Sequence, residues 1–320
     1  LVGEPTISKG TTMSILILGH TGFVGKNLKR FLTDKGFEVH GLSRNECDLR
    51  DYDTFSDRIR EMGNIDVIFN CAANVGSVHY VTEKAADVIA DNSLMALNLY
   101  KGVHELSPNT KIVNLLSNCC YANGTEIQDE TKWLNGDVHP SVFSFGNFKR
   151  VLYYVSRCYE QQYGIKSVNL MFSGIYGPGD STDPNKVHAL NGMIIRMLDS
   201  LKNNDAKFEI WGTGSPIREW IYIEDVCKIL LQSTEMDNLI EPVNVAQGTG
   251  FTIAETAQCI QRAVGYEGEL TFNTDYQDGA PIKILGMGQF ENLFQGYVFS
   301  DHQKGVDATV QYYKEVLDEQ

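Results

Sequence analysis

The 320-residue sequence has no apolar run of the roughly 18–20 residues that a membrane-spanning helix needs, so a helical span is excluded. It also lacks positive charge: 27 Lys and Arg face 41 Asp and Glu, a net charge of −14. That balance disfavours nucleic acid and anionic membrane surfaces as partners. It leaves room for an anionic nucleotide, because one pocket can be locally basic. The seven Cys have no metal-ligand spacing, and no metal is expected. Their one close pair, Cys119-Cys120, is adjacent in sequence, and such neighbours rarely bridge. Free thiols fit a reducing, cytoplasmic setting. Residues 1–12 carry no charged n-region followed by an apolar stretch, so no secretory signal is expected. They read as a disordered extension or expression remnant ahead of Met13. Internal repeats, low-complexity tracts and a Pro/Gly/Ser-rich linker are all missing.

What is present is an alternation of strands and helices. Ser14–Leu18 is a short apolar strand that runs into glycine. Helical spacing follows from Phe23 to about Lys35, where Gly36 stops it. Phe37–Leu42, Asp66–Asn70, Lys111–Leu116 and Lys166–Met171 read as further strands. Asp51–Met62, Glu83–Leu106 and Val142–Tyr163 read as the helices between them. The pattern predicts an α/β fold, a doubly wound Rossmann-type parallel sheet over residues 13–172. From 173 to 320 the rhythm loosens into short strands and helices. This part is expected to form a smaller mixed α/β substrate lobe, with segments near 223–246 returning to the main unit.

Gly19-His-Thr21-Gly22-Phe23-Val24-Gly25 joins the first strand to the first helix. Gly19 permits the tight turn. Gly22 lets a pyrophosphate approach the helix N-terminus, where free N–H groups favour anions, and Gly25 allows close helix–sheet packing. In this strand–turn–helix setting the glycines point to a dinucleotide. An NAD site usually has an acidic residue at the end of the second strand; here Ser43-Arg44 stand there, a hydroxyl and a cation suited to a 2′-phosphate. NADP is therefore expected over NAD. Asp48 and Leu49 are placed near the adenine, Ala72-Ala73 against the cofactor, and Phe172 and Ile175 close the set.

With these motifs the chain resembles the extended short-chain dehydrogenase/reductases and, more narrowly, the GDP-L-fucose synthases. The carrying segments are Gly19-His-Thr-Gly22, Leu116-Ser117-Asn118-Cys119-Cys120-Tyr121, Ile175-Tyr-Gly-Pro178 through His188, Trp211-Gly-Thr-Gly-Ser-Pro-Ile-Arg218-Glu219 and Asp278-Gly-Ala-Pro-Ile-Lys283. Ile282 stands where that family has Arg. The resemblance implies epimerisation and NADP-dependent C4 reduction of a GDP-linked 4-keto-6-deoxy sugar. It implies that Ser117 binds the C4 oxygen, that Lys149 binds the nicotinamide ribose, and that Cys119 and His188 form the acid–base pair of epimerisation. Cys and His can each exchange a proton near neutral pH. Asn118, Arg196, Trp211, Arg218 and Lys283 become substrate contacts. Asn92 falls where the superfamily often has an Asn holding a water near the Lys. A homodimer through the two long helices is also implied.

One position breaks the pattern. In Phe145-Gly-Asn-Phe-Lys149 the ring is present where the family has its proton-donating Tyr, and the hydroxyl is gone. Tyr80-Val-Thr-Glu-Lys84 repeats the spacing, but it precedes Ser117 and is in the wrong order. Three explanations stand: a Tyr-to-Phe variant made to trap a ligand, which is favoured; a natural epimerase that works without the phenol; or a nucleotide-binding subunit without turnover. A UDP-sugar 4-epimerase is the rival within sugar chemistry. A 4,6-dehydratase is weaker, because Asn118-Cys119 replace the Asp-Glu pair that chemistry wants.

Overall fold

The computed structural model describes residues 13–124, 127–276 and 278–318; the expected extension before Met13 lies outside them. The first half alternates β1 (Ile15–Leu18), α1 (Phe23–Asp34), β2 (Val39–Leu42), α2 (Tyr52–Met62), β3 (Val67–Asn70), α3 (Ala85–Leu106), β4 (Lys111–Ser117), α4 (Phe143–Tyr163) and β5 (Ser167–Phe172). Helices α5 (Ala189–Asn203) and α6 (Ile223–Ser233) follow, then β6 (Leu239–Val245), α7 (Ile253–Val264) and α8 (His302–Asp318). The six strands form one parallel sheet in the order β6-β5-β4-β3-β1-β2. Chain order reverses about β1, so the carboxyl ends of β1 and β3 open the crevice in which such sheets bind ligands.

The sheet is buried on both faces, as a parallel sheet must be. Ile15 and Ile17 join one hydrophobic cluster while Leu16 and Leu18 join the other, the two-residue alternation of a strand. A polar ladder crosses this apolar core in register. Asn70 Nδ2 donates to Asn114 Oδ1 at 3.0 Å, and Asn114 Nδ2 to Asn169 Oδ1 at 2.9 Å. Asn169 Nδ2 in turn reaches the Ile240 carbonyl at 2.7 Å. Each buried amide is thus partnered, which ties four adjacent strands to one alignment.

The expected helix from Glu83 is divided. Ser77 caps a short helix, Val78–Glu83, by accepting the Tyr80 N–H, and Lys84 (φ −101°, ψ 31°) separates it from α3. Beyond β5 there are three small sheets among the described residues: Gly174–Tyr176 pairs in parallel with Trp220–Tyr222, and the remaining two sheets build the lobe. Lys207–Trp211 pairs in parallel with Glu269–Asn273. Phe251–Thr252, Ile217–Arg218, Ile282–Leu285 and Ile127–Gln128 form the other, in that order. Residues 127–128 come from the loop after β4, so that loop is stitched into the lobe.

Candidate functional site

The glycine turn is shaped by contacts that a side chain would obstruct. Gly19 has φ +74°, and a Cβ there would lie 2.8 Å from Ala72 Cα. A Cβ on Gly25 would lie 2.2 Å from the Gly19 carbonyl oxygen. The turn is therefore pressed onto the end of β3, with the N-terminus of α1 beside it; Gly22 is the N-terminal boundary and no side chain caps the helix. Thr21 is exposed, and Phe23, Val24, Ala72 and Ala73 are part-buried around the turn. Phe172 ends β5 opposite Ser117 of β4. Ser173 follows it, 7% exposed, and its Oγ has no partner. A dinucleotide fits this cradle: free N–H groups at the turn and an orphan hydroxyl at the far end.

At the end of β2 the structure adds a group the sequence reading missed. The chain turns back after Ser43, and Glu46 accepts the Ser43 N–H at 2.7 Å and lies 2.9 Å from His20 Nε2. Those hydrogen bonds hold its carboxyl well down, at about 2. An acidic group thus does stand just beyond the second strand, brought there by a turn and not by the strand. Arg44 is largely exposed and reaches Asp48 at 4.0 Å. Asp48 is gripped by Arg50 Nε and Nη2 at 2.9 and 2.6 Å, and Leu49 is buried. Asn92 is fully buried and shapes the loop after β3. It accepts the Asn74 N–H at 2.7 Å and donates to the Asn74 and Val88 carbonyls. Tyr80 donates to Asn74 Oδ1 at 2.8 Å.

A cluster of the candidate catalytic side chains forms where β4 meets α4. Lys149 Nζ donates to the Leu115 carbonyl at 2.6 Å, two residues before Ser117 on the same strand. Burial pushes its pKa down to about 8. Phe145 lies one turn earlier on α4, its ring centroid 5.2 Å from Nζ. Ser117 Oγ accepts the Cys119 N–H at 3.3 Å, which leaves the hydroxyl proton free to donate outward. Gly146 lets α4 dock on this turn: a Cβ there would sit 2.4 Å from the Cys119 carbonyl oxygen. Tyr121, the nearest phenol in sequence, is buried and donates to Asn244 Oδ1 at 2.8 Å.

Two histidines stand in opposite states, His188 beside the glycine turn and His139 beside Cys119. His188, at the N-terminus of α5, has its Nδ1 3.0 Å from Asp180 Oδ2, which also accepts the His188 N–H at 2.8 Å. Burial alone would raise the Asp180 pKa, but these bonds outweigh it and keep the group anionic. The proton of a neutral His188 ring is therefore assigned to Nδ1, and Nε2 keeps its lone pair. Its ring lies 5.7 Å from that of Phe23 beside the glycine turn. His139 was not foreseen. It shares a small cleft with Asn118, Cys119, Gln128, Ala280 and Lys283.

The lobe brings its cations together through register. Lys283 is paired directly with Arg218 on the neighbouring parallel strand, so both side chains leave the same face. Burial lowers the Arg218 pKa, and Asp278 partly offsets this. Arg196 lies 4.6 Å over the Trp211 ring and 5.0 Å over Phe208, and Tyr276 stacks on Trp211 at 5.2 Å. Among the described residues no group of three or more His, Cys, Asp or Glu is placed to hold a metal, and no helix is long and apolar enough to cross a membrane.

Comparison with known proteins agrees with this geometry. The profile described as "NAD dependent epimerase/dehydratase family" matches residues 15–246. The chain is 27% identical to the GDP-L-fucose synthase of Escherichia coli over 315 residues, 95% of this chain and 97% of that protein. A GDP-L-fucose synthetase from Naegleria fowleri bound to NADP superposes with a TM-score of 0.87 at 24% identity, covering 96% of this chain and 95% of the other. A GDP-6-OMe-4-keto-L-xylo-heptose reductase from C. jejuni gives 0.87 at 22% identity, covering 96% and 99%.

Proposed function

Because the chain belongs to the NAD dependent epimerase/dehydratase family, we propose that it is a nucleotide-sugar enzyme. It epimerises, and reduces at C4 with NADP, a GDP-linked 4-keto sugar, and the absent phenol at Phe145 impairs the reductive step. The observation that carries this reading is the junction of β4 and α4. One hydrogen bond from Lys149 to Leu115 sets the ammonium behind Ser117, and Gly146 seats the same helix against Cys119. The names of the relatives, with their GDP-linked products and bound NADP, support the substrate class and the cofactor.

Gly19, Gly22 and the N-terminus of α1 hold the pyrophosphate, Ser43 and Arg44 meet the adenosine ribose, and Ser173 offers its unpaired hydroxyl to the nicotinamide end. When bound, the dinucleotide supplies the hydride. Ser117 orients the C4 oxygen. Lys149 holds a positive charge beside it. Arg218 and Lys283, side by side, receive the diphosphate. Cys119 and His188 exchange protons at the carbons next to the ketone, a step that needs no phenol. Reduction does need a proton at the C4 oxygen, and a missing general acid costs roughly 10²–10⁴-fold in rate. The exposed Leu94, Leu97 and Tyr154 of α3 and α4 support a homodimer through those helices.

Phe145→Tyr is the test. With a GDP-linked 4-keto-6-deoxyhexose, the Tyr variant should oxidise NADPH at least ~10²-fold faster than the chain with Phe145, followed at the nicotinamide absorbance band. A Tyr variant that binds NADPH yet gives no rate with any such sugar removes the reductase reading.

A further inference from the structure

We propose that His139 is a second catalytic histidine, whose Nε2–H donates to the sugar oxygen that becomes negative while Cys119 exchanges a proton at the adjacent carbon. This rests on the keto-sugar reading above and assigns a residue to it. Three observations carry it. His139 and Cys119 line the same cleft, with Lys283 of the lobe on its wall. His139 Nδ1 accepts the Ser141 backbone N–H at 3.2 Å and lies 2.8 Å from Ser141 Oγ. A backbone N–H can only donate, so Nδ1 bears a lone pair and the proton of the neutral ring is assigned to Nε2. Finally, Gln128 forms part of the same wall; it is 2% exposed, and its Oε1 has no hydrogen-bond partner. A buried acceptor left open beside a fixed donor marks a wall made for a polar guest, one with hydroxyls to give and a carbonyl to receive.

The ring's charge state agrees. Burial lowers the His139 pKa, and the Lys283 and Arg218 cations lower it further, which favours the neutral ring. Neutral imidazole with its N–H outward is an electrophile and not a base. His188 holds the opposite tautomer, with Nε2 as the free lone pair. The two histidines are thus fixed in opposite tautomers by what each Nδ1 meets: His139 is a donor in the cleft, and His188, outside its lining and beside Phe23, is left with a free lone pair. In the step, the Cys119 thiolate takes the proton from the carbon beside the ketone. The C–H pair becomes the C=C bond of an enolate, and the carbonyl π pair moves onto oxygen. His139 and Ser117 donate hydrogen bonds to that oxygen. Return of a proton from the thiol, exchanged with solvent, restores the ketone.

Solvent deuterium incorporation at C3 and C5 of a GDP-linked 4-keto-6-deoxyhexose, read by mass spectrometry, tests this on the full chain. His139→Ala should slow exchange ~10²–10³-fold, the loss typical of one oxyanion donor. His139→Asn should be equally slow although it keeps the turn, because Asn can still cap the Ser141 N–H but its donor stops short of the Nε2 position. His139→Gln, whose amide N–H reaches that position, should recover to within about tenfold of the parent. All three should bind NADPH as the parent does, by nicotinamide fluorescence. Parent-like exchange in the Ala variant overturns the proposal, and so does a Gln variant as slow as Ala. No exchange in the parent chain overturns the keto-sugar reading itself.

Discussion

Glu46 shows what one side chain does to a site read from its neighbours. Its carboxylate occupies the Ser43 N–H and faces His20, two donors that the proposed cofactor pose would otherwise offer to the ribose 2′ position. It stays ionised at every pH of interest, since its pKa sits at about 2. A 2′-phosphate placed here meets a fixed negative charge. Glu46→Gln should raise the preference for NADP over NAD about tenfold, ~1.4 kcal/mol, in dissociation constants for the two cofactors measured side by side. An unchanged ratio would place the 2′ group elsewhere. Lys149 was legible in the sequence because one helical turn links it to position 145, and such spacing survives any packing. Glu46 and His139 were not. Each works through a turn that reverses the chain within three residues, and no periodicity announces where such a side chain will point.

The elements were easier to read than the residues that hang from them. Five of the six strands of the main sheet lie within two residues of their expected positions, because an apolar run flanked by turn residues has few other uses in an α/β chain. The break at Lys84 and the two-residue strand Ile127–Gln128 escaped notice. The first is set by the Ser77 cap, the second by pairing with residues more than 150 positions later, and neither leaves a pattern of useful length. Helix α4 carries its own prediction. Gly146 lets it lie on the Cys119 turn with no room for a methyl group, so Gly146→Ala must push helix and turn apart. A loss of about 1–3 kcal/mol in denaturant unfolding is expected, as for other overpacked contacts, together with slower deuterium exchange. A variant as stable and as fast as the parent would show that the helix can shift freely here.

The joint between sheet and lobe governs the molecule as a whole. Glu219, 2% exposed, accepts N–H groups from Gln247 and Gly248, which follow β6, and from Leu285 of the lobe at 2.8 Å. Burial lifts its pKa from 4.5 to about 7 in spite of those bonds. The folded chain therefore holds this proton more tightly than the unfolded chain. The stability it contributes is complete below about pH 4.5 and is lost as pH rises towards 7, by at most ~3 kcal/mol. Denaturant midpoints taken across that window should fall with rising pH, and Glu219→Gln should flatten this part of the curve. An identical slope in the variant would assign the dependence to other groups.

The loop between β4 and α4 has one more consequence. Cys119 stands at its entrance and His139 at its exit, while its middle, Ile127–Gln128, is laced to the strand that continues from Lys283. It is a bridle with both ends lining the cleft and its midpoint fastened to the lobe. A displacement of the lobe strand would pass through that pairing to both ends of the loop together, which on the proposed reading couples the seating of the nucleotide to the alignment of the proton-handling groups.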